Sequence, residues 1–216
     1  MSAVVPITGS YVAAFTAALL GQDCHVLGLA AEPGLLPVAD WTGNPDAGDV
    51  ALLGHCRGET LDIGCGPGRM TRALAERGHA VLGIDVVPEA VRMTRSRGGL
   101  AVLRDVFEPV PGEGRWQTAL LADGNIGIGG DPSALLQRVR SLLAPGGLVV
   151  ADVAAPGAGL RRRSVRLQTA DLRSRPFPWA VVGADAVGVL AAATGFTVRG
   201  LHTHGTRWFA VLEKAA

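Results

Sequence analysis

The chain has 216 residues, a formal net charge of +1 and a hydrophobic content of 48%. This length suits one domain with a sizeable core, and a near-neutral chain lacks the strongly basic face of a nucleic-acid-binding protein. No stretch is apolar for long enough to span a bilayer, and no lysine or arginine precedes Arg57 to form the positive region of a secretory signal. We therefore expect a cytoplasmic protein that binds a small molecule rather than nucleic acid or a membrane.

Residues 1–57 are expected to form an N-terminal helical cap or lid. Apolar residues recur at helical spacing over residues 11–20, and a second short helix is predicted to follow Asn44-Pro45. A loop rich in proline and glycine, at residues 33–37, would join the two helices.

Residues 58–216 are predicted to form an α/β domain, because apolar runs of strand length alternate there with amphipathic stretches of helix length. Strands are predicted at residues 60–63, 80–84, 101–104, 118–122, 148–153, 196–200 and 208–212. Helices are predicted at residues 69–77, 88–97, 132–143 and 184–194. The predicted fold is Rossmann-like and doubly wound, with a seven-stranded, mostly parallel sheet whose last strand is antiparallel. Ligands of such sheets bind outside the carboxyl ends of the first and fourth strands.

A glycine-rich loop follows the first predicted strand of this domain. Gly64, Gly66 and Gly68 form a GxGxG pattern, which is weak evidence alone in a chain with 30 glycines. Its context is stronger, because Asp85 lies 21 residues after Gly64 at the end of the next strand, where a carboxylate can accept bonds from both ribose hydroxyls. Asp105, after the third strand, could accept a bond from an adenine amino group.

Four segments between residues 58 and 153 carry a family resemblance. DIGCGPG, GID, LLADG and LLAPGGLVVAD resemble consecutive motifs of class I S-adenosylmethionine-dependent methyltransferases of the small-molecule type. The resemblance implies S-adenosylmethionine as cofactor and S-adenosylhomocysteine as product. It also implies that Gly64, Cys65 and Gly66 wrap the amino-acid end of the cofactor, that Asp62 orients this loop, and that the main-chain oxygen near Asp123 accepts from the cofactor's ammonium. The expected cofactor-binding residues are Asp62, Gly64, Cys65, Gly66, Gly68, Asp85, Val86, Asp105, Val106 and Asp123.

Three alternatives stay open. A nicotinamide-dependent oxidoreductase uses a similar loop, but its usual GxGxxG pattern would require a glycine at the position of Arg69. A protein with the methyltransferase fold could instead bind S-adenosylmethionine and catalyse a cyclisation or elimination. It could also be a non-catalytic partner subunit.

The reaction that the resemblance implies is methyl transfer to O, N or C of a small metabolite. Such an in-line displacement depends mainly on orientation and the exclusion of water, so a dedicated catalytic residue is optional. If the acceptor needs a general base, the candidates are His202 and His204, while Asp123 or Asn125 could orient the acceptor. The candidates for the acceptor site are Tyr11, Asp40 and Trp41 of the cap, together with Asn125.

Six arginines between residues 161 and 175 could bind an anionic acceptor, or could form a charged face exposed to water. They are Arg161, Arg162, Arg163, Arg166, Arg173 and Arg175. No metal site is expected, because Cys24, Cys56 and Cys65 form no CxxC pair and Asp152 is followed by apolar residues. The oligomeric state is expected to be a monomer or a homodimer.

Overall fold

The computed structural model describes residues 7–215. The N-terminal part contains β1 (Ile7–Gly9), α1 (Tyr11–Leu19), β2 (His25–Leu27), β3 (Gly34–Leu35), α2 (Val38–Thr42) and α3 (Ala47–Leu53). The central part contains β4 (Thr60–Ile63), α4 (Arg69–Glu76), β5 (Val81–Asp85), α5 (Pro88–Ser96), β6 (Ala101–Leu103), β7 (Trp116–Leu121), α6 (Pro132–Leu142) and β8 (Leu143–Val153). The C-terminal part contains β9 (Leu160–Gln168), β10 (Arg173–Ser174), β11 (Phe177–Val182), α7 (Val187–Ala193), β12 (Phe196–His204) and β13 (Arg207–Lys214).

Seven strands form the central sheet in the order β12-β13-β8-β7-β4-β5-β6. The strands from β8 to β6 run parallel to their neighbours, whereas β13 runs antiparallel to both β8 and β12. All four residues of β4 are buried, as expected for the middle strand of a parallel sheet covered on both faces. The predicted fold class is confirmed, and the order of the strands reverses between β4 and β7, where a ligand crevice is expected.

The helix α3 connects the N-terminal part to this sheet. A capping box starts it, in which the side chain of Asp46 accepts from the main-chain N–H of Asp49 at 2.7 Å and the side chain of Asp49 accepts from that of Asp46 at 3.0 Å. Leu52 and Leu53 are almost fully buried in one cluster with Leu74 of α4. This packing holds Asp49 beside the helix that follows the glycine-rich loop.

A second, smaller sheet covers the carboxyl-end side of the molecule and was not predicted. Its strand order is β1-β10-β9-β2-β3, and β11 pairs with β9. The N-terminal part therefore contains the two expected helices, α1 and α3, and in addition the short helix α2 and three strands. These strands have only two or three residues, too few to show an alternating pattern. The strand β9 begins with exposed arginines, so its apolar alternation is confined to Val165 and Leu167.

Apolar side chains fill a separate core beneath each sheet. The larger core lies between the central sheet and helices α6 and α7, and a smaller one joins α1 to the second sheet through Ala14, Ala18 and Leu167. Each sheet is therefore held by its own buried contacts, and the space between the two sheets is available for a ligand. Within residues 7–215, no helix combines the length and apolar character that crossing a membrane would need.

Candidate functional site

A cavity of about 650 Å³ lies between the two sheets, at the carboxyl ends of β4, β5 and β7. This volume falls within the usual range for small-molecule sites. One side of the cavity, here named the strand-end half, is formed by residues that follow the central strands: Asp62, Gly64, Cys65, Gly66, Asp85, Val86, Asp105, Val106 and Asp123. The other side, here named the aromatic half, is formed by Tyr11, Phe15, Val26, Leu36, Trp41, Val165, Leu167, Phe177 and Trp179.

The glycine-rich loop takes a conformation that favours glycine at each of its three glycines. The φ angles of Gly64, Gly66 and Gly68 are +73°, +53° and +90°, in the left-handed region that other residues rarely adopt. A Cβ atom on Gly68 would lie 2.9 Å from the main chain of Thr94, whereas one on Gly66 would meet nothing within 4 Å. The absence of a side chain at Gly68 therefore allows α4 and α5 to pack closely. At Gly66 there is free space beside the loop, where the loop lines the cavity.

Asp85 fixes the shape of this loop from the neighbouring strand. Its two carboxylate oxygens accept from the main-chain N–H of Gly66 at 2.9 Å and of Val87 at 2.8 Å. Burial raises the pKa of Asp85, and these hydrogen bonds oppose that rise. Because each carboxylate oxygen has two lone pairs, one on each oxygen is left for a ligand.

Asp105 and Val106 lie at the outer end of the strand-end half. Asp105 is exposed and accepts from the main-chain N–H of Phe107 at 3.0 Å, whereas Val106 is buried. Burial raises the pKa of Tyr11, and the charges of Asp105 and Asp85 raise it further. The phenol of Tyr11 is therefore close to both acids, where the two halves of the cavity meet.

Asp62 is the most deeply buried acid of the strand-end half. Its carboxylate accepts from the hydroxyl of Thr71 at 2.6 Å. Burial raises its pKa from an ordinary value of 3.8 to about 7, although the Thr71 hydrogen bond lowers it. The folded protein therefore binds a proton at Asp62 in a pH range in which the unfolded chain has lost it.

Replacing Asp62 with asparagine should change how stability depends on pH. The folded pKa exceeds the unfolded one, so ionisation of Asp62 destabilises the fold progressively between about pH 4 and pH 7. We expect Asp62→Asn to raise the free energy of unfolding by about 2 kcal/mol more at pH 7 than at pH 5, measured by urea denaturation. The exposed Asp23→Asn is the control and should leave this pH dependence unchanged. Parallel stability curves for Asp62→Asn and the unmodified protein would contradict the expectation.

Asp123 follows β7 and has an unusual backbone conformation. Its φ of +52° is the only positive value at a non-glycine residue in the described chain. Both carboxylate oxygens accept from Arg69, at 2.8 and 2.7 Å, and its main-chain N–H donates to Asp152 at 2.6 Å. Burial raises the pKa of Asp123, and the charge of Arg69 opposes this. Because Arg69 binds both oxygens, this carboxylate is poorly placed to act as a general base.

Five charged side chains, of which Asp49, Arg69 and Asp152 are buried, form an ion-pair network behind the strand-end half: Asp49, Arg69, Asp123, Asp152 and Arg207. Arg69 pairs with Asp49 as well as with Asp123. Arg207 of β13 binds Asp49 at 2.5 Å and both oxygens of Asp152, at 2.7 and 2.5 Å. The network therefore joins the first turn of α3, the start of α4 and the ends of three strands around Asp123.

Sequence reasoning missed the roles of Asp49 and Arg207 in this network. A carboxylate inside an apolar run, as at Asp152 in LVVADV, is a usable signal, because a buried charge needs a partner. The partner itself lies 55 residues away and could not be identified without the fold.

The sequence matches a family model described as a methyltransferase domain over residues 47–201. The chain belongs to this family. The fold and the methyltransferase class predicted from the sequence are therefore confirmed, and S-adenosylmethionine is the methyl donor of such enzymes.

The chain is similar to several known proteins, of which three illustrate the range. The ubiquinone biosynthesis O-methyltransferase of Pseudomonas aeruginosa is 29% identical over 138 residues, covering 60% of this chain and 51% of that protein. The trans-aconitate 2-methyltransferase of Paracidovorax citrulli is 31% identical over 136 residues, covering 61% and 49%. The match thus spans about half the length of these curated relatives. A solved methyltransferase from Bacteroides fragilis, in complex with S-adenosyl-L-homocysteine, superposes with a TM-score of 0.80 at 22% identity, covering 95% of this chain and 94% of that one.

Asn125 lines the cavity, but its amide is engaged with the glycine-rich loop. Its side-chain nitrogen donates to the main-chain oxygens of Ile63 at 2.9 Å and Gly64 at 3.0 Å. A Cβ on Gly64 would lie 2.7 Å from that nitrogen. Asn125 is therefore a positioning residue for the loop, and both of its amide hydrogens are unavailable to an acceptor.

The structure does not bring the two candidate histidines to the cavity. The ring of His202 is tilted against that of His55, with centroids 4.2 Å apart, and stacks on Phe209 at 5.4 Å. Neither His202 nor His204 lines the cavity. Both belong to the hairpin of β12 and β13, as predicted, and no contact links them to the glycine-rich loop.

Two of the three cap candidates line the cavity, and the arginine cluster does not. Tyr11 and Trp41 line the cavity, whereas Asp40 does not. None of the six arginines lines it either; Arg161, Arg162 and Arg163 lie on the exposed first half of β9. Sequence reasoning missed the cavity residues Phe177 and Trp179, because β11 was not predicted.

Proposed function

We propose that this protein transfers the methyl group of S-adenosylmethionine to a small acceptor molecule held in the aromatic half of the cavity. The observation that carries this proposal is that one continuous cavity joins the glycine-rich loop and Asp85 to a pocket closed by the second sheet. A cofactor and an acceptor bound in the two halves would therefore be in contact. The names of two relatives, from ubiquinone biosynthesis and from trans-aconitate methylation, also refer to small molecules.

The residues of the strand-end half fit the proposed cofactor. The free space beside Gly66 allows a ligand to approach the main chain, and Asp85 retains an acceptor site on each oxygen for the two ribose hydroxyls. Gly64, Cys65 and the main-chain oxygen near Asp123 would hold the amino-acid end, with Asp62 supporting the loop. Asp105 and Val106 would hold the adenine. The carboxylates of this half also suit a ligand that carries a positively charged sulfonium and ammonium.

When bound, the cofactor supplies an activated methyl group, and the chain supplies orientation and shelter from water. The residues around the cavity keep the acceptor near the strand-end half and limit hydration of the reacting atoms. Among the described residues that line the cavity there is no histidine, and the Asp123 carboxylate is paired with Arg69. The arrangement therefore favours an acceptor whose nucleophilic atom needs no strong base, such as an acidic hydroxyl or an amine.

Titration calorimetry with S-adenosylhomocysteine and with NADH tests the cofactor. We expect heat of binding with S-adenosylhomocysteine and none with NADH; the opposite result would overturn the proposal. Methyl transfer is then tested by the release of S-adenosylhomocysteine from S-adenosylmethionine when acceptors are added. Turnover of an acceptor without that product would indicate a non-methylating reaction on this fold, and the proposal would be wrong.

Three further predictions from the sequence accompany this proposal. They are the division of the chain into a cap at residues 1–57 and a methyltransferase domain at residues 58–216, a cytoplasmic location, and a monomeric or homodimeric state. Asp49 of the cap takes part in the ion-pair network beneath the cofactor site, and the family match begins at residue 47. The cap and the domain are therefore expected to fold together as one structural unit.

A further inference from the structure

Aromatic side chains are concentrated at the cavity. Of the ten Phe, Trp and Tyr residues in the chain, six line it: Tyr11, Phe15, Trp41, Phe107, Phe177 and Trp179. Two pairs of these rings are in contact. The ring centroids of Tyr11 and Phe177 lie 4.7 Å apart with planes tilted by 33°, and those of Phe15 and Trp41 lie 6.3 Å apart with a tilt of 41°. A chain with only 5% aromatic residues has thus placed most of them around one ligand site.

The second sheet keeps positive charge out of the aromatic half. Successive side chains of a strand point to opposite faces, and on β9 the buried Val165 and Leu167 line the cavity while Arg166 between them does not. Arg161 and Arg163, at the start of the same strand, are exposed to water. Arg166 therefore lies on the opposite face, and Arg161 and Arg163, which share the face of Val165 farther along the strand, do not line the cavity.

The charged residues that do line the cavity cannot neutralise an anion in the aromatic half. Arg69 pairs with Asp49 and Asp123, whose two negative charges offset its own, although its buried Nε has no hydrogen-bond partner among the described residues. Arg104 follows β6 beside Asp105, and both Arg104 and Glu32 are exposed to water. A carboxylate or phosphate in the aromatic half would lose its hydration without gaining a charged partner, which is strongly unfavourable.

We infer that the methyl acceptor is an uncharged, planar aromatic molecule stacked between the rings of Tyr11, Phe15, Trp41, Phe177 and Trp179. This inference rests on the proposed function and adds the class of acceptor to it. Aromatic rings attract one another in offset and edge-to-face arrangements, beyond the gain from burying apolar surface. The tilted pairs on two sides of the aromatic half offer both arrangements to a flat ligand. The hydroxyl of Tyr11 and the indole N–H groups provide polar contacts without net charge.

Binding of a neutral fluorescent aromatic probe, N-phenyl-1-naphthylamine, to protein saturated with S-adenosylhomocysteine tests this inference. We expect the probe to bind, and 2-naphthol to displace it at a lower concentration than either the anion 2-naphthoate or the saturated analogue 2-decalol. Trp41→Leu and Trp179→Leu keep an apolar side chain and remove a ring, so each should weaken probe binding about 2- to 10-fold. Neither should change the affinity for S-adenosylhomocysteine by more than a small factor, which also shows that the variants fold.

Arg163→Ser is the charge control, since Arg163 pairs across the strands with Trp179 and has an exposed side chain, but does not line the cavity. It should leave the binding of all three competitors unchanged. Stronger competition by 2-naphthoate, or a loss of its binding in Arg163→Ser, would overturn the inference in favour of an anionic acceptor. Equal competition by 2-decalol would show an apolar site without aromatic preference, and would overturn it too. If S-adenosylhomocysteine itself does not bind, the proposed function fails; if it binds and the probe does not, only the acceptor class is wrong.

Discussion

Replacing Asp85 with alanine should weaken the binding of S-adenosylhomocysteine by about 100-fold or more. The carboxylate accepts from the main-chain N–H groups of Gly66 and Val87, and under the proposed function it also accepts from both ribose hydroxyls. A hydrogen bond to a charged group contributes about 1.5–3 kcal/mol, so losing two contacts to the ligand corresponds to at least two orders of magnitude in affinity. The glycine-rich loop loses a support at the same time. Titration calorimetry measures the effect directly.

Glu89→Gln provides the control for this variant. Glu89 lies four residues after Asp85, pairs with Arg92 on α5, and does not line the cavity. Its replacement should leave the affinity for S-adenosylhomocysteine unchanged. Asp85→Asn adds a second comparison, because it keeps the size of the side chain but replaces one acceptor oxygen with a donor. We expect it to bind almost as poorly as Asp85→Ala. An unchanged affinity in either Asp85 variant would mean that the cofactor lies elsewhere.

The sequence was sufficient to predict the central sheet, because each of its strands and helices has its own local pattern. The strand β4 begins and ends at the predicted residues, and α4, α5 and α6 begin at the predicted Arg69, Pro88 and Pro132. Proline at the first position of a helix and apolar runs of strand length are signals that neighbouring residues carry by themselves. The positions of Asp85 and Asp105 at strand ends followed from the same signals.

The second sheet and the ion-pair network depend on contacts between distant segments, so local patterns could not reveal them. His25 pairs with Gln168 across the second sheet, more than a hundred residues away in the chain. Without that sheet, the alternation of Arg166 with Val165 and Leu167 does not show which face of the strand meets the cavity. The arginine cluster then resembles an anion-binding site. The fold buries the two apolar residues against the cavity, and none of the six arginines lines it.

Replacing Arg69 with alanine should lower the free energy of unfolding by about 3–5 kcal/mol, the usual cost of leaving a buried charge without its partner. The side chain of Arg69 is only 6% exposed, and that of Asp49 only 1%. In the variant, Asp49 would keep only Arg207 as a close partner, and Asp123 would keep only Arg207 at 3.7 Å. The left-handed backbone at Asp123 would also lose the side-chain contact that holds it. Urea denaturation measures the change.

Arg72→Ala is the control variant. It measures how much the loss of another arginine on α4 destabilises the fold. Arg72 lies three residues later on the same helix, is 31% exposed, and pairs with Glu76 at 3.7 Å, so its loss should cost at most about 1 kcal/mol. Equal destabilisation by the two variants would contradict a special role for the buried network. A double-mutant cycle with Arg69→Met and Asp49→Asn gives the final test. Arg69→Met leaves the Asp49 carboxylate with one partner fewer, and Asp49→Asn removes that carboxylate. The double variant should therefore be destabilised by less than the sum of the single variants. Additive effects would show that Asp49 and Arg69 do not stabilise the fold through each other.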